Sequence, residues 1–274
     1  MNSQQHIAII GSGNIGLSLA KGLVKSGICK PQQIILTRRN IGALTPLADE
    51  GYYVTDNNIK AVRRADIVVL AVLPQQLNKL LDEISPGIKS EKQLLVSVVS
   101  GVSCADIRQQ LDLNVQVIRA MPNTAIAIGH SMTCIATDNG TPKNINLVKS
   151  LFDTVGVSIQ INEELMTSAT ALCACGIAFF LRSIRAASQG GTEIGFHSAD
   201  ALKMAAQTAK GAADLILQLH SHPEQEIDKV TSPSGCTIAG LNEMEHNGFS
   251  SAMIKGIKLS ADKAGDLYKK EDQY

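Results

Sequence analysis

The sequence has no surplus of charge of either sign, with Lys+Arg and Asp+Glu at 25 each in 274 residues. Nucleic-acid binders normally carry a basic excess, so this balance argues against a nucleic-acid partner and favours small-molecule chemistry. A basic segment followed by an apolar one is also missing near the start: the polar stretch Met1–His6 runs straight into Ile7–Ile10, and no secretory signal is expected. No uninterrupted apolar run reaches the roughly 20 residues that a bilayer crossing needs. The longest, Ala169–Leu181, falls short, so the expectation is a soluble, cytoplasmic protein without a membrane partner. The six cysteines, Cys29, Cys104, Cys134, Cys173, Cys175 and Cys236, include no C-x-x-C pair and show neither a disulfide frame nor zinc spacing. Most of them read as small buried hydrophobes in a reducing compartment, with a redox role for Cys175 and Cys236 as a second reading.

What is present is ample apolar material, 45% of the chain, in a strongly patterned order. Short β-branched runs at Ile7–Ile10, Gln33–Thr37, Ile67–Val72, Leu94–Val99 and Val115–Arg119 read as strands. Helical stretches such as Ile15–Ser26 and Ala105–Leu111 lie between them, and the alternation predicts an α/β fold, a doubly wound parallel sheet with helices on both faces. Met132–Thr137 and Val157–Ile161 are expected as edge strands flanking a helix at about 143–155. Strand signals stop after residue 162. Glu163–Gln189, Ser198–His220 and Phe249–Lys270 carry helical periodicity, His222-Pro223 starts a further helix, and Thr231–Gly235 is turn chemistry. The expected division is therefore 1–161, nucleotide-binding, and 162–274, all-α. Small residues at Ala205, Ala206, Ala209, Gly211, Ala212 and Ala213 permit close helix contacts, and a small apolar helical domain invites dimerisation. His220 and His222 straddle a helix end as solvated or capping residues, and no metal site is expected.

Gly11-Ser12-Gly13-Asn14-Ile15-Gly16 matches G-x-G-x-x-G, with a strand leading in and an amphipathic helix leading out. Gly11 permits the tight turn, Gly13 lets backbone approach a pyrophosphate, and Gly16 lets helix and strand pack closely. The helix start then offers free N–H groups and partial positive charge to the phosphates of a nicotinamide dinucleotide. The second strand normally ends on an acid that grips the ribose of NAD. Here it ends Thr37-Arg38-Arg39-Asn40, and two guanidiniums with a hydroxyl favour a 2′-phosphate, hence NADPH over NADH. A solvated basic turn is the alternative.

Further motifs follow in order: Ala71-Val72-Leu73-Pro74-Gln75, Ser100-Gly101-Val102-Ser103, Arg119-Ala120-Met121-Pro122-Asn123-Thr124, and Thr231 to Leu241, then Glu243 and Gly248. This set resembles the pyrroline-5-carboxylate reductases over nearly the whole chain, most specifically at 119–124 and 231–241. The resemblance implies an N-terminal Rossmann domain, a C-terminal helical dimerisation domain and dimers assembled into a larger ring such as a decamer. It implies reduction of the cyclic imine pyrroline-5-carboxylate to L-proline, the last step of proline biosynthesis. By the same resemblance Met121, Pro122 and Asn123 border the nicotinamide, with Ala71, Val72 and Pro74 on the neighbouring loop. Asn58 contacts the cofactor, a polar turn residue being its alternative. Ser232, Gly235, Cys236 and Thr237 cap the substrate, together with Cys175 and Gly176. Thr237 is the first candidate for contacting the imine nitrogen, with Ser232 and Cys236 beside it.

Three departures from the family pattern stand out. Leu73 occupies a usual lysine position, Cys173-Ala174-Cys175-Gly176-Ile177-Ala178-Phe179 replaces S-G-S-G-P-A-Y, and Cys236 replaces one of two paired threonines. Thiols are weak donors, so hydroxyl roles fall to Thr237 or Ser232. Two other readings stay open: reduction of the six-membered homologue, or a catalytically silent dinucleotide-binding regulator.

Overall fold

The computed structural model describes residues 5–267. The first four residues of the polar start, and 268–270 at the end of the last expected helix, lie outside the described residues. In chain order the strands are β1 (Ile7–Ile10), β2 (Ile34–Thr37), β3 (Tyr53–Thr55), β4 (Ile67–Leu70), β5 (Leu94–Ser97), β6 (Gln116–Met121), β7 (Ser131–Ala136) and β8 (Gly156–Gln160). They form one sheet in the order β3-β2-β1-β4-β5-β6-β7-β8. Every described pairing is parallel except β6 with β7. The short link between those two strands leaves no room for a crossover helix, so the chain must turn back on itself.

Two sequence expectations need correcting. The three-residue β3 has no counterpart in the sequence reading, because so short a segment displays no period. And β7, expected at an edge, lies inside the sheet with β8 outside it, because a crossover returns the chain parallel to β7.

Central strands are apolar throughout because both faces are covered. Ile7, Ile9, Ile34, Leu36, Val69 and Val96 point to one face, against Leu19, Ala20 and Leu23 of α1 (Asn14–Lys25) and Val148, Leu151 and Phe152 of α6 (Pro142–Phe152). Their neighbours Ala8, Ile10, Ile35, Val68 and Leu95 face the other way, against α3 (Asn58–Arg64), α4 (Leu77–Ile84) and α5 (Cys104–Leu111). A short α2 (Thr45–Asp49) completes the layer set. Local chemistry starts these helices where the sequence offers a cap. Asn57, Ser103 and Thr141 each accept a first-turn N–H, and Asp106 closes a capping box with Ser103.

Past the sheet come α7 (Met166–Ala169), a π-helical turn at Thr170–Cys175, α8 (Gly176–Glu193), α9 (Ser198–Leu219), α10 (Pro223–Lys229), α11 (Cys236–His246) and α12 (Phe249–Gly265). The π turn interrupts what the sequence shows as one uninterrupted helix. Helix flanks also lengthen the apolar stretch. Glu163–Glu193 spans 31 residues and contains an 18-residue window of mean hydropathy 1.6, 28% of it buried inside the protein, so by length and composition it is long and apolar enough to cross a membrane. His220 ends α9 in the left-handed region, and His222 caps α10 by accepting the Glu224 N–H at Nδ1.

The chain divides into two compact units. One holds residues up to Cys175 and those from Ser260; the other is Gly176–Leu259. Residues 163–175 stay with the sheet because Met166 and Ala169 pack with Met121, Cys134 and Ala136 in a third apolar cluster. The helical unit buries only Gly176, Ser188 and Ala201, while Phe180, Leu217, Ile254 and Leu259 remain exposed. Apolar exposure on this scale is the mark of an interaction surface.

Within the sheet unit, Arg119 on β6 is 5% exposed, its guanidinium 3.4 Å from Glu163 and its Nε without a partner. The same Glu163 oxygen accepts the Cys104 N–H at 2.7 Å at the start of α5. Burial, and then Glu163, push the Cys104 thiol up to about 12. Cys104, Asp138 and Glu163 bring ligand atoms within 4.8 Å of one another, but Arg108 grips Asp138 with both terminal nitrogens and the Cys104 thiol donates to the Val117 carbonyl. Arg108 and Arg119 supply the positive charge a cation would bring, and this junction is structural. Glu163→Ala is expected to cost about 3–5 kcal/mol by stranding a buried guanidinium. Denaturant unfolding at neutral pH measures it; a loss below 1 kcal/mol, far under that estimate, contradicts the assignment.

Candidate active site

The glycine loop crosses the carboxyl ends of β1, β2 and β4. Gly11 has φ +93°, and a Cβ there would sit 2.7 Å from the Ala71 carbonyl oxygen and 2.8 Å from Val72 Cγ1. Only glycine fits against that strand end. Gly11 donates to Thr37 Oγ1 at 3.4 Å and Ser12 donates to the Thr37 carbonyl at 2.8 Å, tying the loop to β2. Gly16 is tight in the same sense: its Cβ would meet Ile9 Cγ2 at 2.8 Å and the Gly11 carbonyl at 3.0 Å. Gly13 differs. It is the N-cap of α1, no side chain caps the helix there, and nothing lies within 4 Å of where its Cβ would be. The Gly13 N–H is taken by the Gly11 carbonyl at 2.8 Å, but the open space there and the first-turn N–H groups of Asn14 and Ile15 are what a pyrophosphate requires.

Thr37 is buried, while Arg38 and Arg39 are exposed beside it, and neither forms an ion pair among the described residues. Both guanidiniums are thus available at the end of β2, where a dinucleotide's ribose lies in this architecture. Asn58 is the first residue of α3 and half-buried, with Nδ2 donating to Glu83 of α4 at 3.2 Å. That pairing has no sequence signal, since the partners are 25 residues apart.

Ala71 donates to the Ile10 carbonyl at 2.8 Å, so the 71–74 segment begins at the β1 end, in the crevice where strand order reverses. Leu73 is exposed and Pro74 half-buried. Two strands along, β6 ends at Met121, which accepts a hydrogen bond from Ser100 Oγ at its sulfur. Met121 and Pro122 are buried. Asn123 is held three ways: its N–H donates to Ser131 Oγ, its Oδ1 accepts the Ala125 N–H, and its Nδ2 donates to the Cys173 carbonyl at 3.3 Å. The sheet unit therefore gathers Gly11–Gly16, Thr37–Arg39, Ala71–Pro74 and Met121–Asn123 at one edge. A cleft of about 800 Å³ runs along α1 toward Thr124–Gly129 and shares only Asn14 and Ile15 with this set. The strand-end crevice, with its open glycine and free cations, has the better chemistry for a dinucleotide.

Cys175 and Gly176 close the π turn and open α8, Gly176 being buried. In the helical unit, Ser232, Gly235, Cys236 and Thr237 form the turn into α11. Ser234 adopts φ +58°, Gly235 donates to the Ser232 carbonyl at 3.0 Å, and a Cβ on Gly235 would collide with Ser232 Oγ at 2.4 Å. Gly235 is the α11 N-cap and offers no capping side chain. The turn thus leaves the Cys236 and Thr237 N–H groups at an uncapped helix start, with the Ser232 and Thr237 hydroxyls nearby in the chain. The cofactor candidates and this turn belong to different units of the chain.

Residues 163–267 match a family model described as pyrroline-5-carboxylate reductase dimerisation, and residues 6–101 one described as NADP oxidoreductase coenzyme F420-dependent. Pyrroline-5-carboxylate reductase 1 of Dictyostelium discoideum is 53% identical over 97% of this chain, which spans half of that relative's length. Pyrroline-5-carboxylate reductase 2 of the same organism is 48% identical, with 96% of this chain and 93% of the relative covered. A solved pyrroline-5-carboxylate reductase from Coxiella burnetii superposes with TM-score 0.90 at 27% identity, over 97% of this chain and all of the other.

Two glycines separate fold from binding. Gly11→Ala is expected to destabilise the protein by about 1–3 kcal/mol, because backbone stands where its Cβ must go. Gly13→Val is expected to keep wild-type thermal stability yet weaken NADPH binding at least about tenfold, a loss of some 1.4 kcal/mol. Melting curves and a fluorescence titration measure both; NADPH binding unchanged in Gly13→Val removes the loop from the cofactor site.

Proposed function

The chain belongs to the pyrroline-5-carboxylate reductase family, and from that membership we propose that it reduces 1-pyrroline-5-carboxylate to L-proline with NADPH, closing proline biosynthesis. The observation that carries the proposal is a pair of helix starts on glycine N-caps, Gly13 of α1 and Gly235 of α11, each lacking a capping side chain. One suits the phosphates of a dinucleotide, the other a substrate carboxylate.

NADPH, when bound, supplies hydride from the nicotinamide to C5 of the imine. Gly11, Ser12, Gly13, Asn14, Ile15 and Gly16 hold its pyrophosphate, and Thr37, Arg38 and Arg39 its 2′-phosphate, which underlies preference for NADPH over NADH. Asn58, Ala71, Val72, Pro74, Met121, Pro122 and Asn123 border the rest of the cofactor. Buried Met121 and Pro122 exclude water there, and Asn123 is oriented by its three bonds. For the substrate, the N–H groups of Cys236 and Thr237 and the hydroxyl of Ser232 take the carboxylate, with Gly235 permitting close approach and Cys175 and Gly176 lining the ring. Thr237 Oγ1 contacts the imine nitrogen and stabilises its proton, so this chain's main contribution is orientation. The Cys236 thiol adds little as a donor.

The functional division we propose is a cofactor domain, 1–161, and a dimerisation and substrate domain, 162–274. A second copy would cover the apolar surface that the helical unit leaves exposed, making a homodimer, with dimers joined into a larger ring such as a decamer. Coverage of this kind also accounts for the long apolar Glu163–Glu193 helix without a membrane. All six cysteines are free, which agrees with a reducing, cytoplasmic setting.

The test is NADPH oxidation with pyrroline-5-carboxylate, with NADH and the six-membered imine in parallel arms, on protein whose solution mass is first measured. Dimeric or larger protein that turns over the five-membered imine fastest with NADPH is the expected result. NADPH binding without turnover of any imine would overturn the activity, and a monomeric mass the assembly. In the same assay Thr237→Ala is expected to lose about ten- to a hundredfold in kcat/KM, as loss of a hydrogen bond to a charged group implies; full activity excludes Thr237.

A further inference from the structure

Two thiols with no part in the proposed chemistry face one another behind Asn123. Cys134 Sγ on β7 and Cys173 Sγ in the π turn are 3.8 Å apart, one donating to the other. Cys134 is 2% exposed, while Cys173 is only half-buried. A disulfide holds its sulfurs at about 2.05 Å, so closure needs less than about 2 Å of movement. Cys173 lies in the π turn, where an extra residue interrupts the regular helical ladder. The elements already pack together, with Cys173 against the cluster of Met121, Cys134, Ala136, Met166 and Ala169.

We propose that Cys134 and Cys173 are the site of a reversible disulfide formed by hydroperoxides, and that this bond loosens the Met121–Asn123 end of the cofactor site. The second clause rests on the cofactor role proposed for those residues. Cys173 is the thiol that reacts first, being the accessible one. The hydrogen bond from Cys134 draws its pKa below the ordinary thiol value, while giving that bond and being buried push Cys134 up. The Cys173 thiolate attacks one oxygen of the O–O bond, which breaks. Cys173 becomes a sulfenic acid, and the other oxygen leaves as an alcohol, or as water from hydrogen peroxide. Cys134 then attacks the sulfenyl sulfur, its proton and the departing hydroxide form water, and the S–S bond closes. Two electrons pass from the thiol pair to the peroxide, and a dithiol reductant returns them.

The link to the site is a hydrogen bond. The Cys173 carbonyl accepts Asn123 Nδ2, and Asn123 also donates its N–H to Ser131 Oγ at the start of the strand bearing Cys134. Drawing Cys173 toward β7 displaces the carbonyl that orients Asn123, and Met121 shares the apolar cluster that must adjust. Loss of one such bond corresponds to about three- to tenfold in cofactor affinity.

The experiment treats the full-length protein with hydrogen peroxide and follows two signals. One is tandem mass spectrometry of unreduced peptides, fragmented to separate Cys173 from Cys175; the other is NADPH affinity by fluorescence. Expected are a Cys134–Cys173 cross-link, a three- to tenfold weaker NADPH complex, and recovery of both with dithiothreitol. Cys134→Ser and, independently, Cys173→Ser should form no such link and keep their NADPH affinity at the same peroxide dose. Thiols left unlinked, a link through Cys175 or between protomers, or a Cys134–Cys173 bond with unchanged affinity would each overturn the proposal. Neither signal uses an imine, so failure of the reductase reading would show separately, in the turnover assay.

Discussion

The contact on which the site depends is the one Gly11 makes by lacking a side chain. With no Cβ to collide with the Ala71 carbonyl and Val72, the chain leaves β1, passes the end of β4 and enters α1 through the three residues Gly11–Gly13. That crossing carries the start of α1 over the crevice where the strand order reverses. It also puts Ser12 within reach of the Thr37 carbonyl, so the ends of β1, β2 and β4 are locked into one rim. Gly16 keeps α1 close to β1, and Gly13 keeps the outer side of the rim free. Three glycines in one motif thus do three different things, two against protein and one toward open space.

The rest of the sheet unit extends that rim. Parallel pairing from β2 through β6 brings each strand's carboxyl end to the same edge, so residues far apart in sequence, Thr37, Ala71 and Met121, come to border one crevice. Antiparallel β7 then runs back beside β6, and residues 163–175 pack on it. Through Cys173 and Glu163 this last segment reaches both Asn123 and the buried Arg119, coupling the end of the sheet unit to its centre.

Most of this architecture was legible because it follows from period and composition. Apolar runs such as Ile67–Leu70 announce strands buried on both sides, and the strand–glycine–helix succession announces the loop. The 231–241 turn and the 119–124 stretch were legible only through resemblance, since nothing in spacing alone marks Thr237 or Asn123. What stayed hidden was of two kinds. Tyr53–Thr55 is too short to show alternation, and the π turn at 170–175 differs from a helix by a single inserted residue in a run that reads as helical throughout. Long-range partners such as Asn58 with Glu83, or Cys134 with Cys173, exist only once the strands are ordered. The helical unit is the opposite case. Its apolar sequence already invited dimerisation, and within the chain it buries only Gly176, Ser188 and Ala201.

The central claim, that the rim built on Gly11 holds a dinucleotide bearing a 2′-phosphate, is tested most directly by equilibrium binding of NADPH and NADH. The account predicts NADPH tighter by at least about tenfold, as charge-assisted bonds from two guanidiniums imply. It also predicts that replacing Arg38 and Arg39 together by alanine brings the two affinities to near equality by weakening NADPH alone. NADH binding the wild-type protein as tightly as NADPH, or a preference that survives the double replacement, would contradict it.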